Sequence, residues 1–253
     1  MKNALITGGA SGFGAEVARQ LTRRGDQVVL LDVNDTDGAA LAAELGGHYL
    51  HCDVSDPEQV AATTAEGERL LGGLDLFFLN AGIATGCGVG EDFDLTRYRR
   101  AMAINTDGVV FGVHSAMPAL QRRGGGAIVC TASMAALTAT AFDPVYGANK
   151  SAVVGLVRAM GPVLAPMGVT INAFCPGFAE TKIINEMREA LDSFGTPIIP
   201  VEKAGAAVLE IFDSGLTGKA WLLQAGRDLI DYQFKGIPGP LTETGERAGV
   251  LPA

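Results

Sequence analysis

The chain has 253 residues, 48% hydrophobic and 19% charged, a profile that excludes a disordered chain and fits a globular protein with a large core. Its net charge of −9, with no basic stripe, argues against nucleic acid as a partner. No run of about 20 apolar residues marks a membrane span, and the opening Met1-Lys2-Asn3 lacks a signal-peptide layout.

Short apolar runs alternate with helical patterns along the whole length. Residues 4–7 read as a strand, 8–14 as a glycine-rich turn, and 15–24 as a helix stopped by Gly25. A second strand at 27–33 precedes a helix at 37–45, and a third at 49–54 precedes one at 57–71. The fourth strand, 74–79, leads through a loop with Gly86, Gly88 and Gly90 into one long helix, 95–122. The fifth strand, 127–131, is followed by a helix at 145–165, and the sixth spans 169–174. A short helical segment at 182–191, a helix at 203–212 and a last strand at 220–224 complete the pattern, and 231–253 read as a loop-like tail. The strand cores are continuous apolar runs, the mark of parallel strands covered on both faces. With right-handed crossovers this repetition predicts an α/β fold, a single-domain doubly wound parallel sheet of the Rossmann type spanning residues 1–253.

Arg97, Arg99 and Arg100, and the pair Arg122 and Arg123, read as solvated helix faces or ends. Cys52, Cys87, Cys130 and Cys175 form no C-x-x-C pair, so no metal or redox motif is expected, and free thiols suit a reducing cytoplasm.

The first chemically informative segment is Thr7-Gly8-Gly9-Ala10-Ser11-Gly12-Phe13-Gly14, set between a strand and a helix. A diphosphate needs backbone N–H groups aimed at it, and a helix N-terminus supplies them together with a favourable dipole. Side chains would block that approach, which is why glycine belongs there. Asp32 ends the second strand, 18 residues after Gly14. A carboxylate there can accept both hydroxyls of an adenosine ribose and repel a 2′-phosphate. Neither Val33 nor Asn34 supplies a countercharge, so NAD is expected over NADP.

The second informative segment is Tyr146-Gly147-Ala148-Asn149-Lys150. Residues four apart on a helix share a face, so the phenol and the ammonium project together. A free Tyr, with a pKa of about 10, is a poor base near neutrality, and a fixed cation beside it is expected to lower that value. Tyr146 could then take a proton from an alcohol as hydride leaves. Ser133 ends the fifth strand, 13 residues earlier, where its hydroxyl could hold the substrate oxygen.

In these segments the chain resembles the short-chain dehydrogenase/reductase family, over about residues 1–225. The T-G-x-x-x-G-x-G turn matches Thr7–Gly14, N-A-G matches Asn80-Ala81-Gly82, Y-x-x-x-K matches Tyr146 and Lys150, and P-G-x-x-x-T matches Pro176, Gly177 and Thr181. The resemblance implies a catalytic set of Asn105, Ser133, Tyr146 and Lys150, with Asn105 holding a water in a proton relay through Lys150. It implies a cofactor site of Gly8, Ser11, Gly12, Phe13, Gly14, Asp32, Val33, Asp53, Val54, Asn80, Ala81, Gly82, Tyr146, Lys150, Pro176, Gly177, Ala179 and Thr181. Asp53 and Val54 would lie by the adenine, and Lys150 would also bond the nicotinamide ribose. Pro176, Gly177, Ala179 and Thr181 would hold the carboxamide. The family also implies a homo-oligomer, a dimer or tetramer, built through the helices after the fourth and fifth strands.

Two departures stand out. The last strand leads into Leu223-Gln224-Ala225-Gly226-Arg227 where the family often has V-D-G-G, and the segment after Thr181 is short. Met134, Leu137, Phe142, Phe178, Ile183, Ile184 and Met187 either line a pocket for an apolar secondary alcohol or ketone or simply pack the core and lid. The expected activity is an NAD-dependent alcohol dehydrogenase or ketone reductase. A non-catalytic NAD sensor or scaffold, and a nucleotide-sugar epimerase or dehydratase, are the alternatives. The first would predict damage to Ser133, Tyr146 or Lys150, and the second an extra substrate domain.

Overall fold

The computed structural model describes residues 1–240 together with 243 and 244. Eight strands form one sheet: β1 (Asn3–Thr7), β2 (Gln27–Asp32), β3 (His48–His51), β4 (Leu76–Leu79), β5 (Gly126–Thr131), β6 (Val169–Pro176), β7 (Ala220–Leu223) and β8 (Ile230–Asp231). Their spatial order is β3-β2-β1-β4-β5-β6-β7-β8. All pairings are parallel except β7 with β8. Chain direction across the sheet reverses between β1 and β4, so the connections leaving these two strands diverge and open a crevice at their carboxyl ends.

The helices are α1 (Gly12–Arg23), α2 (Asp35–Leu45), α3 (Pro57–Leu71), α4 (Leu95–Met102), α5 (Gly108–Arg123), α6 (Pro144–Leu164), α7 (Arg188–Ser193) and α8 (Val201–Asp213). Alternation along the strands feeds two cores. Leu5, Val29, Phe77 and Ile128 face α3, α5 and α6, where Val60, Val113 and Val157 meet them. Ala4, Ile6, Leu30 and Phe78 face the other side, against Val17 and Leu21 of α1 and Val208, Ile211 and Phe212 of α8. Phe78 and Phe212 meet edge to face, centroids 6.4 Å apart, a favoured aromatic geometry. Carboxylates cap the helices that enter the crevice side: Asp56, Asp94 and Asp143 each accept first-turn N–H groups of α3, α4 and α6.

Several details differ from the sequence-based expectations. The third strand ends at His51 rather than at residue 54, because Asp53 turns its carboxylate onto the N–H and hydroxyl of Ser55. The long helix expected at 95–122 is broken by a π-helical turn, Ala103–Asp107, between α4 and α5. Such turns are rare and cluster at functional sites. The last parallel strand stops at Leu223 rather than 224.

The tail expected to be loop-like from Asp231 instead begins with β8, in which Asp231 pairs with Trp221. Beyond it Tyr232 and Phe234 meet edge to face, and the Arg158 guanidinium of α6 stacks 3.9 Å from the Phe234 ring. The rest of the expected tail, 241–242 and 245–253, lies outside the described residues.

Candidate active site

At the end of β1 the chain turns through Gly8 and Gly12, both with positive φ (+62° and +54°), into the N-terminus of α1. A Cβ on Gly14 would overlap the Gly8 carbonyl, so only glycine permits this turn. Ser11 is the N-cap residue but makes no side-chain cap bond, and the first-turn N–H groups have no partner within the helix. Phe13 points inward, edge on to Phe174 at 5.7 Å, leaving only its backbone toward the crevice.

Asn80 holds the turn to the sheet. Its Nδ2 donates to the carbonyls of Thr7 (3.1 Å) and Gly8 (3.2 Å), while Thr7 Oγ1 accepts the N–H groups of Asn80 and Ala81. Asp32 Oδ2 accepts the Ala10 N–H at 2.9 Å, and its Oδ1 accepts that of Asn34 at 3.0 Å. The carboxylate that sequence alone placed near the turn is thus bonded into it. Val33, beside it, is 57% exposed and offers an apolar surface at the crevice edge. Val54, by contrast, is buried, and the space a Cβ on Gly108 would need is filled by its side chain.

Across the crevice, Gly177 donates to the Leu223 carbonyl at 2.9 Å, and Ala179 is buried. Thr181 occupies a helix N-cap position but makes no capping bond. A methyl on Gly12 would come within 3.5 Å of Thr181 Cγ2, so the two loops face each other over a narrow cradle. Glycine amides at a helix N-terminus, a carboxylate held beside them and an open cradle fit a dinucleotide; a Cβ at Gly12 would intrude on it.

On the β5–β6 side, Lys150 is 2% exposed, and its Nζ donates to the Thr131 carbonyl at 2.9 Å. The same ammonium lies 5.7 Å from the centroid of the Tyr146 ring. A Cβ on Gly82 would stand 3.3 Å from both Lys150 Nζ and Asn105 Oδ1, so glycine lets these two groups converge. Asn105 sits in the π-helical turn and is fully buried. Its Oδ1 accepts the Ile83 N–H at 2.8 Å, and its Nδ2 donates to the Ile83 carbonyl at 2.9 Å and to Asn149 Oδ1 at 3.2 Å. These bonds link α6 to the turn and explain where the long helix breaks.

One sequence-based expectation is corrected. The ammonium of Lys150 was expected to acidify the phenol, but burial dominates and pushes Tyr146 up to about 12, only partly opposed by its bond with the Ser133 side chain. Burial also pulls Lys150 down to about 8. The protein alone therefore keeps Tyr146 protonated at neutral pH. Positive charge added beside the ring would lower it.

Of the suggested pocket residues, Ile184 is buried as packing, whereas Phe142 and Ile183 are exposed beside the crevice walls. Three polar residues were missed: Asn149, Thr85 and Asp143. Asp143 could have been found, because Asp followed by Pro ahead of a helical pattern is a start signal.

A doubly wound parallel sheet that presents a glycine-lined helix N-terminus, an acidic second strand and a Ser–Tyr–Lys group at its carboxyl edge defines a nicotinamide-dinucleotide oxidoreductase of alcohols and ketones. Comparison with known proteins agrees: the family model described as short chain dehydrogenase matches residues 2–192. The chain belongs to the short-chain dehydrogenase family. A 3-alpha-(or 20-beta)-hydroxysteroid dehydrogenase of Mycobacterium tuberculosis is 33% identical over 231 residues, covering 89% of this chain and 88% of its own. An NAD(+)-dependent 2-dehydro-3-deoxy-L-rhamnonate dehydrogenase of a Sphingomonas species is 32% identical over 203 residues, covering 80% and 82%. The crystal structure of a short-chain type dehydrogenase/reductase from Mycobacterium marinum superposes with a TM-score of 0.83 at 29% identity, covering 89% and 94%.

Proposed function

We propose that the protein moves a hydride between NAD and an apolar secondary alcohol or ketone, with Tyr146 as the acid and base. The observation that carries this reading is the convergence of Lys150, Asn105 and Tyr146 behind Gly82, opposite the glycine turn. NAD, when bound, supplies the hydride acceptor and a positive ring. Tyr146 takes the proton from the substrate hydroxyl in oxidation and returns it in reduction. Ser133 orients the substrate oxygen, Lys150 holds the nicotinamide ribose, and Asn105 holds the relay water. Gly8, Ser11, Gly12, Phe13 and Gly14 cradle the diphosphate with backbone amides. Asn80, Ala81 and Gly82 steady the turn, and Pro176, Gly177, Ala179 and Thr181 receive the carboxamide. Asp53 and Val54 flank the adenine side, Asp53 through its backbone because its Oδ1 is bonded to Ser55.

Exposed Phe142 and Ile183 support an apolar substrate. Incubating the protein with NAD and a panel of apolar secondary alcohols should give NADH absorbance. Turnover confined to charged or sugar alcohols would remove the apolar assignment, and none at all would remove the reaction. The sensor alternative finds no support in a site with Ser133, Tyr146 and Lys150 intact, or in relatives named as dehydrogenases. The epimerase alternative finds none in the short excursion that follows Thr181, two six-residue helical segments whose base is pinned by the Ala179–Ile199 bridge.

The preference for NAD rests on Asp32. Asp32→Asn preserves an acceptor for the turn but removes the charge. Its kcat/KM ratio for NAD over NADP should fall by about 10-fold or more, the worth of a charge-assisted hydrogen bond. An unchanged ratio would show that another group selects the dinucleotide.

Among the described residues no helix is long and apolar enough to cross a membrane. The four buried, free cysteines support a cytoplasmic setting. Exposed Val110 on α5, and Val163 on α6, support assembly of copies through these helices. Light scattering should give a dimer or tetramer; a monomer at working concentration would contradict this.

A further inference from the structure

One carboxylate beside the phenol has no part in the chemistry above. Asp143 is the N-cap of α6, three residues before Tyr146, with Pro144 locking the first helical position. Its Oδ1 accepts the Tyr146 N–H at 2.9 Å and also accepts the hydroxyl of Thr85. Thr85 is buried and lies on the chain that leaves β4 just past Gly82, on the opposite wall of the crevice. Its Oγ1 accepts the Cys87 N–H at 3.4 Å, which fixes the hydroxyl from behind. A single carboxylate oxygen therefore joins both walls of the crevice to the backbone of the proposed acid and base.

An N-cap needs only an acceptor, and Ser, Thr or Asn would serve as well. A carboxylate adds a full negative charge at the start of the helix that carries the phenol. The groups facing that phenol are Lys150 and Asp143 from α6 and its cap, Ser133 from the 3-10 turn two residues past β5, and the buried Cys175 thiol from β6. The bond with Ser133 favours the phenolate, whereas the charge of Asp143 opposes it. Burial holds the Cys175 thiol up at about 12, which leaves Asp143 as the carboxylate of this set.

We propose that Asp143, gripped by Thr85, is a positioning residue that fixes the first turn of α6 and through its charge raises the pH range in which Tyr146 exchanges its proton. The inference rests on Tyr146 being the proton-transfer group, and the two are tested separately.

Asp143→Asn keeps an acceptor for the Tyr146 N–H and the Thr85 hydroxyl but removes the charge; Asp143→Ser, also a good cap, carries the test should the Asn variant not fold. The acidic limb of the kcat/KM profile for alcohol oxidation should move to lower pH by ~0.5 unit or more, the size of a partly screened charge interaction. Thr85→Val leaves the charge but loses the grip. It should lower kcat several-fold with little change in the KM for NAD. Titrating tyrosinate absorbance of the NAD-saturated protein, with Tyr146→Phe subtracted, reads the same shift without turnover. Coincident titrations of wild type and Asp143→Asn would overturn the inference. Full turnover in Tyr146→Phe would overturn the proton-transfer reading instead, and would leave the tyrosinate shift standing.

Discussion

Tyr146→Phe is expected to lower kcat by roughly 100- to 10,000-fold, the usual worth of a positioned acid or base. The ring that lies against Lys150 is kept and only the hydroxyl is lost, so the fold and the dinucleotide site should be undisturbed. The KM for NAD should therefore stay within a few-fold of wild type, and the thermal transition should not fall. Steady-state kinetics with an apolar secondary alcohol, together with nucleotide binding followed by fluorescence of Trp221 or of bound NADH, separates the two. Turnover within tenfold of wild type would mean that another group moves the proton. Loss of nucleotide binding would mean that the phenol is structural. The corrected electrostatics sharpen the expectation. With its pKa up at about 12 in the free protein, the phenol is a donor first, and it becomes a base only where positive charge is added.

Lys150→Met is expected to abolish turnover and yet to stabilise the free protein. The ammonium is 2% exposed and has one hydrogen bond, to the Thr131 carbonyl. Burial pulls its pKa from 10.5 to about 8. In the unfolded chain the amine holds its proton up to the ordinary lysine value, whereas in the folded chain it releases it near 8. The unfolded state thus binds more protons between those values, and stability rises as pH is raised through that window. Below pH 8 the cost of the buried charge is present in full. A methionine of similar length removes that cost and forfeits one hydrogen bond, for a net gain of about 1–2 kcal/mol. In a chain of this size that corresponds to a rise in Tm of several degrees, at roughly 2–4 °C per kcal/mol. Calorimetry without nucleotide should show the gain at pH 7 and a smaller one at pH 9.5. A variant less stable than wild type at pH 7 would show that the ammonium is a net structural support. Dinucleotide should reverse the order, because its binding favours wild type by mass action.

Both predictions concern residues legible in the sequence itself. The glycine turn, Asp32 and the Tyr146–Lys150 spacing carry their chemistry in residue type and interval, because a phosphate cradle excludes side chains and a helix repeats nearly every four residues. The order of strands and helices was legible for a similar reason. Buried parallel strands must be apolar on both faces, and the helices that cover them must show a stripe.

The misreadings have equally specific causes. The break at Ala103–Asp107 leaves no trace in helical periodicity, because a π-helical turn inserts a single residue and is stabilised by long-range bonds from Asn105 to Ile83 and Asn149. The β8 strand is two residues long and exists only because β7 offers an edge. The Thr85–Asp143 link joins residues 58 positions apart, which no local pattern reports.

The order of residues by itself determined the class of sheet, the glycine-lined turn at the end of β1 and the spacing that puts Tyr146 and Lys150 on one helical face. Each of these is local, a matter of which side chain can occupy a turn, a strand end or one helical face. Tertiary structure decided the energetics: how far Tyr146 stands from ionising, how much it costs to keep Lys150 charged, and which carboxylate lies against them. These depend on desolvation and on charges brought close from distant parts of the chain, and both arise only when the sheet and its helices close around the site.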